Sequence, residues 1–346
     1  SLGDTLWTHT YGGSDWDAAY SVQNTPDGGF VIVGFTASYG AGSADVYLIR
    51  TDSLGDTLWT HTYGGSDGDK GWFVQNTPDG GYVITGDTWS YGAGIHDVYL
   101  IRTDSLGDTL WTHTYGGSVN DCGYSVQNTP DGGYIIVGET NSYGAGVFDV
   151  YLVKTDSLGD TLWTHTYGGS DWDAAYSVQN TPDGGFVIAG LTDYHGVGSG
   201  DVYLIKTDSF GDTTWTKTYG GSDVDRGECV QNTCDGGYII AGYTYSYGVG
   251  SIDVYLIKTD ETGSTGVEEV NHNSLITDYP PLKVYPNPFV WCCCTASSGH
   301  NLLHIYDLSG RLIETTKSNI IGKDLNVGIY FIEANGYKPV KVVKVR

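Results

Sequence analysis

One stretch, Asp52-Ser53-Leu54-Gly55-Asp56-Thr57-Leu58-Trp59-Thr60-His61-Thr62-Tyr63-Gly64-Gly65, returns almost letter for letter along three quarters of the 346-residue chain. Its Trp falls at Trp7, Trp59, Trp111, Trp163 and Trp215, a constant spacing of 52 residues. A fixed period in this range marks a solenoid, a propeller or an array, in which one supersecondary unit stacks on copies of itself. Fold and function therefore have to be argued from the repeat.

Within the first period, Ala18 to Asn24 is followed by Thr25-Pro26-Asp27-Gly28-Gly29 and then by Phe30-Val31-Ile32-Val33-Gly34. Pro presets φ and Gly supplies a positive φ, so the two runs are predicted to form an antiparallel hairpin. A Gly-rich loop leads to a third run, Val46 to Arg50, and a second turn, Asp52 to Asp56, leads to the Trp-bearing run. The second and third runs are apolar at successive positions, which predicts a sheet covered on both faces; the fourth is polar and Thr-rich, as an outer edge requires. Four-stranded sheets packed face to face about an axis are propeller blades.

The expected fold is all-β: a five-bladed β-propeller over residues 1–260. The N-terminal strand, residues 4–12, is expected to close the ring as the outer strand of the last blade. The repeat resembles the short propeller repeats of secreted bacterial proteins.

Residues 261–282 have the composition of a linker. Beyond it, Val284-Tyr285-Pro286-Asn287-Pro288-Phe289, Leu303 to Ile313, Gly328 to Ile332 and Val340 to Val345 follow in an order that resembles the C-terminal sorting domain of type IX secretion substrates. The resemblance implies that residues 283–346 form a small Ig-like β-sandwich. It also implies that the secretion machinery is a partner, and that the protein lies outside the cell or on its outer surface.

Residues 1–260 carry 33 acidic and 8 basic side chains, whereas 283–346 carry 4 acidic and 8 basic. Such a negative repeat region argues against nucleic acid and anionic lipid as partners, both of which select cations. No run of 18 apolar residues is present, so no membrane span is expected. The chain opens at Ser1 inside a repeat and has no Met, which reads as a processed N-terminus. Cys229 and Cys234 flank a tight turn and are placed to form a disulfide in an oxidising compartment; Cys292, Cys293 and Cys294 read as buried thiols or disulfide partners.

Near-identical modules about an axis are expected to leave no privileged pocket. The recurring carboxylates at Asp17, Asp69, Asp121, Asp173 and Asp225, and at Asp45, Asp97, Asp149, Asp201 and Asp253, read as caps on turns and strand ends rather than as catalytic acids, which need unlike environments. No catalytic residue, cofactor or shared metal is expected, although Asp15 with Asp17 could hold Ca²⁺. The His at His9, His61, His113 and His165 reads as a rim residue.

Blade-to-blade variation places candidate ligand-binding aromatics at Trp16, Trp89, Trp172 and Tyr245, beside Asp and Asn, where sugar rings would stack. The Asp-Ser/Thr-apolar tripeptides at Thr5, Ser53, Thr57, Ser105, Thr109, Ser157 and Thr161, with a variant at Thr213, resemble the O-glycosylation signal of bacteria with this export route. The expectation for function is a secreted, non-enzymatic surface or matrix protein, polymerising head to tail with itself as partner. A multivalent lectin for polysaccharide is the alternative and a glycoside hydrolase the remote one.

Overall fold

The computed structural model describes residues 4–265 and, beyond them, 284–285, 293–295, 303–307, 311–316, 320–321, 325–326, 328–334 and 340–344. Two compact units divide the chain, Ser1–Gly266 and Val267–Arg346. Every regular element among the described residues is a strand.

The first repeat shows how the sequence makes a sheet. Strands β1 (Asp17–Asn24), β2 (Phe30–Thr36), β3 (Asp45–Thr51) and β4 (Thr57–Tyr63) form an antiparallel meander in chain order. The β1–β2 turn closes because Gly28 takes φ 87° and its N–H donates to the Thr25 carbonyl at 2.9 Å. Asp27 accepts from the Thr25 hydroxyl at 2.6 Å and pairs with the Arg50 guanidinium at the far end of β3. The Thr25 hydroxyl first, then the Gly29 amide and Arg50, hold the Asp27 carboxyl down at about 2. In the second turn Asp52 Oδ1 accepts from the Leu54 and Asp56 amides at 2.8 and 3.0 Å, an Asx cap around Gly55.

The same meander recurs three times in full: β5 (Asp69–Asn76) to β8 (Thr109–Tyr115), β9 (Asp121–Asn128) to β12 (Thr161–Tyr167), and β13 (Asp173–Asn180) to β16 (Thr213–Tyr219). Each β3-type strand is buried along its whole length, and each β4-type strand alternates towards solvent. Consecutive sheets pack face to face: Val46 and Leu48 of the first meet Val74, Tyr82 and Ile84 of the second. Trp59 stands edge-on to Tyr82 at 5.9 Å, and Tyr63 Oη donates to the Gly107 carbonyl at 2.6 Å. A ladder of Asn side chains links the inner strands, Asn76 to the Asn24 carbonyl, Asn128 to Asn76, Asn180 to Asn128 and Asn232 to Asn180. His61, His113 and His165 each lie between the Trp and Tyr of their own outer strand, a packing role.

The fifth sheet departs from expectation. It has three strands, β17 (Asp225–Asn232), β18 (Tyr238–Thr244) and β19 (Asp253–Thr259), and residues 4–12 form no strand. The reason lies in what holds that segment. Tyr11 Oη donates to the Gly55 carbonyl at 2.6 Å and Trp7 packs on Phe30 at 5.9 Å, so the segment lies on the face of the first sheet as an outer strand lies on the next sheet. No strand pairs with the outer edge of β19 among the described residues. The regular turn also runs past residue 260: Asp260 caps Thr262 and Ser264, and Tyr219 reaches the Gly263 carbonyl, within the segment that composition assigns to a linker.

In the second unit, β20 (Val284–Tyr285), β21 (Cys293–Thr295) and β24 (Ile320–Ile321) form one antiparallel sheet. The strands β22 (Leu303–Asp307), β23 (Leu312–Thr316), β25 (Gly328–Ala334) and β26 (Val340–Lys344) form a second, in the order β23-β22-β25-β26. Leu303, Ile305 and Ile332 are buried. The described residues of this unit thus form two small antiparallel sheets. The thiol of Cys292, the side chains of Cys293 and Cys294, and most of the linker lie outside the described residues.

Candidate axial binding site

Each inner strand breaks register once. The breaks leave Tyr20, Trp72, Tyr124, Tyr176 and Glu228 without a cross-strand partner, one bulged residue per sheet. Glycine permits each bulge: a Cβ on Gly34, Gly86, Gly138, Gly190 or Gly242 would fall 1.8 to 1.9 Å from the carbonyl oxygen of the strand it faces. All five bulged side chains line one cavity of about 590 Å³, within the roughly 300–1,000 Å³ of small-ligand pockets.

Four aromatic rings and one carboxylate thus converge from modules that are otherwise copies. Trp172 and Phe73 add ring surface, while Ser125, Ser177, Gln179 and Gln231 add hydroxyl and amide groups. Arg226 lies 3.6 Å over the Tyr176 ring centroid and pairs with Glu228 at 2.8 Å.

The expectation that equivalent modules leave no privileged pocket is therefore overturned. Two further columns explain why. The cross-strand pairs beside the bulge are Ala18–Phe35, Lys70–Asp87, Cys122–Glu139, Ala174–Leu191 and Arg226–Tyr243, five chemically different pairs at one place in the repeat. Sequence reading passed over these columns; the signal was an interior strand Gly, which marks a bulge or a close backbone approach, beside positions where the copying breaks.

Two buried carboxylates anchor the rings from behind. Glu139 accepts from Tyr124 Oη and from Trp172 Nε1, both at 2.8 Å, and Asp87 accepts from Trp72 Nε1. Burial pushes the Asp87 carboxyl up to about 6; the Trp72 bond and the Lys70 charge oppose that rise, while Asp69 and Glu139 add to it. Burial likewise raises the Tyr124 and Tyr176 phenols, which stay protonated. Cys122, 3.3 Å from His96 Nδ1, is driven up by burial and then by Asp87 and Glu139, so it is not a thiolate.

Of the aromatics expected at the ligand, Trp172 lines the cavity, whereas Trp89 does not; its ring centroid lies 5.4 Å from Lys70 Nζ. Trp16 is 81% exposed and Tyr245 45% exposed, and neither lines the cavity. Asp17 gives its oxygens to Gly13 N, Thr36 Oγ1 and Ser38 Oγ, and among the described residues no three His, Cys, Asp or Glu side chains converge as metal ligands. Cys229 and Cys234 are free thiols, a correction to the expected disulfide: Cys229 lines the cavity while Cys234 takes the Pro position of the β17–β18 turn. Thr5, Ser53, Thr57, Ser105, Thr109, Ser157, Thr161 and Thr213 are all exposed on outer turns and edges, accessible to a modifying enzyme.

No protein-family model matches the chain, and no curated protein matches it. Among solved structures, PorZ, a bacterial surface component of the type IX secretion system of Porphyromonas gingivalis, is 13% identical over 95% of this chain, with a TM-score of 0.37. The chain spans about half of that protein, 51%. The WD40 domain of Neurospora crassa Pan2 is 10% identical over 71% of this chain and 64% of its own, with a TM-score of 0.44. A family 43 β-1,3-galactosidase is 14% identical over 92% and 72%, with a TM-score of 0.39. None of the three bears on what this chain does. Its own strands define a repeat protein with propeller-type blades.

Proposed function

We propose that the repeat unit is a carbohydrate-binding module, presented outside the cell through its type IX-like tail, and that its axial cavity is the binding site. One observation carries this reading: every sheet sends its bulged residue into the same cavity, and four of the five are aromatic. Aromatic faces take the apolar face of a sugar ring, while the Arg226–Glu228 pair and the Ser and Gln side chains offer donors and acceptors to its hydroxyls.

Binding is favoured over hydrolysis. Two-carboxylate glycosidases place both acids at the scissile bond. Here Glu228 alone faces the cavity, whereas Glu139 and Asp87 are engaged behind the rings. The expected structural and matrix role becomes one of attachment: a surface-borne lectin holds polysaccharide, and weak single sites gain from multivalency.

A glycan array probed with the full chain, followed by calorimetry on the hits, is expected to give a saturable ligand. Tyr176→Ala should weaken it at least tenfold, since the change removes both the ring and the surface under Arg226. An array without signal, or a Tyr176→Ala protein that binds as well as the parent, would sink the reading.

A further inference from the structure

The two aspartate columns meet at the internal junctions of the repeat unit. Between the fourth and fifth sheets, Asp201 opens β15 (Asp201–Thr207) and Asp225 opens β17, and the two are 1% and 0% exposed. A Cβ on Gly220 would fall within 2.6 Å of both Asp201 Oδ1 and Asp225 Oδ2, so glycine is what lets the two carboxylates approach. Each is fixed through its Oδ2. Asp201 Oδ2 accepts from the Val197 and Gly198 amides at 2.9 and 3.1 Å, and Asp225 Oδ2 accepts from the Gly221 amide at 2.7 Å and the Ser246 hydroxyl at 2.6 Å. The Oδ1 of each is buried without a hydrogen-bond partner.

We infer that this junction is a calcium site, in which one Ca²⁺ bridges the Asp201 and Asp225 carboxylates and main-chain carbonyls add to its shell. A buried carboxylate oxygen with no donor is costly unless a cation meets it. Two oxygens that lie so near one point fall within the span of a single Ca²⁺, which binds each ligand at about 2.3–2.6 Å. Carbonyls are at hand: a Cβ on Gly198, whose amide holds Asp201, would lie 2.5 Å from the Gly221 oxygen and 2.8 Å from the Asp223 oxygen. Carboxylates and carbonyls suit a hard cation, and an irregular set of them suits Ca²⁺ better than Mg²⁺, which demands a near-ideal octahedron. The amide bonds to Oδ2 orient the ligands, as outer bonds do at metal sites.

The arrangement recurs at the three preceding junctions. A Cβ on Gly64, Gly116 or Gly168 would likewise fall within 2.5 to 2.6 Å of Asp45 and Asp69, Asp97 and Asp121, or Asp149 and Asp173. Among the described residues no salt bridge joins Lys or Arg to any of these aspartates. The repulsion within a pair is therefore left standing: burial raises the Asp97 carboxyl, the Gly94 amide opposes the rise, and the Asp121 charge adds to it. A cation held by both acids removes it. The donor set has two side chains per junction and is independent of whatever the axial cavity binds.

The test strips the full chain with EGTA and titrates it with CaCl₂. Calorimetry should count four sites per chain, and the melting temperature should rise by about 5 °C or more, with an equal concentration of MgCl₂ giving less than half of that. Tb³⁺ provides a second readout: Tyr247 Oη donates to the Gly220 carbonyl at 2.7 Å, so its ring should sensitise Tb³⁺ luminescence that Ca²⁺ then quenches by displacement. Asp201→Asn should lower the count by one, whereas Asp56→Asn, on an exposed outer turn, should leave it unchanged. Should Asp201→Asn misfold, the luminescence of the parent and its displacement decide. A melting temperature equal in Ca²⁺ and EGTA, Mg²⁺ matching Ca²⁺, Tb³⁺ luminescence that Ca²⁺ does not displace, or a folded Asp201→Asn protein with an undiminished count would each overturn the proposal.

Discussion

Gly138→Ala is expected to lower the melting temperature of the repeat unit by roughly 6–12 °C, a loss of about 3 kcal/mol or more. The Cβ would lie 1.8 Å from the Cys122 carbonyl oxygen and 3.0 Å from Gly123 Cα, both main-chain atoms of the bulged strand. Neither is the movable end of a side chain, so β9 and the neighbouring strand Tyr134–Thr140 must separate or the bulge at Tyr124 must straighten. Straightening would turn Tyr124 off Glu139 and out of the cavity, so the variant should lose ligand as well. Gly132→Ala provides the contrast. Its φ is +86° and no heavy atom lies within 4 Å of the added methyl, so only the left-handed backbone cost of about 1–2 kcal/mol applies. Calorimetry of the two variants that ranked Gly132→Ala as the more damaging would contradict the bulge argument.

Asp87→Asn is expected to stabilise the protein at neutral pH, an unusual outcome for removing a buried charge that has a hydrogen-bond partner. The Asp87 carboxyl titrates near 6 in the fold against about 3.9 in an unfolded chain, so the folded state holds the proton more tightly. The stability that goes with the protonated acid is fully present below about pH 3.9 and is lost as pH rises through 6. At pH 8 the ionised group therefore costs about 3 kcal/mol, and Asn, which keeps the acceptor facing Trp72 Nε1, removes that cost. Denaturant melts should show a gain at pH 8 that shrinks to nothing by about pH 4. A variant less stable than the parent at pH 8 would mean that Lys70 and Trp72 outweigh desolvation.

Asp27, Asp131 and Asp183 carry the opposite sign. Each is held at about 2 by its turn and by the cation at the end of the third strand, so their support is lost only as pH falls through that range.

The repeat unit was legible wherever a local rule decides. Pro-Asp-Gly-Gly and Asp-Ser-Leu-Gly-Asp specify their turns by φ and by Asx caps, and the apolar Val46 to Ile49 run specifies a strand covered on both sides. The aspartate columns act as caps: Asp17, Asp69, Asp121 and Asp225 each accept from a glycine amide four residues earlier. The axial site was less legible because its geometry is set by a register slip, which period-2 reasoning averages away. Trp16 and Trp172 occupy the same column, yet one is solvent-facing and the other lines the cavity, a difference set by the sheets on either side. Closure was not legible either. A near-perfect copy of β4 at residues 5–11 says what could pair with β19, whereas whether it does depends on the arc summed over five sheets.

The central claim, that modules made by copying build one unequal site on their axis, is tested most directly by comparing that column. With whichever glycan the array identifies, affinities of Trp172→Ala and Trp16→Ala should be measured side by side. Loss of a ring inside the cavity should weaken binding by ten-fold or more, and loss of the exposed ring should leave it within two-fold of the parent. Equal losses, or a loss confined to Trp16→Ala, would move the ligand out to the loops and contradict an axial site.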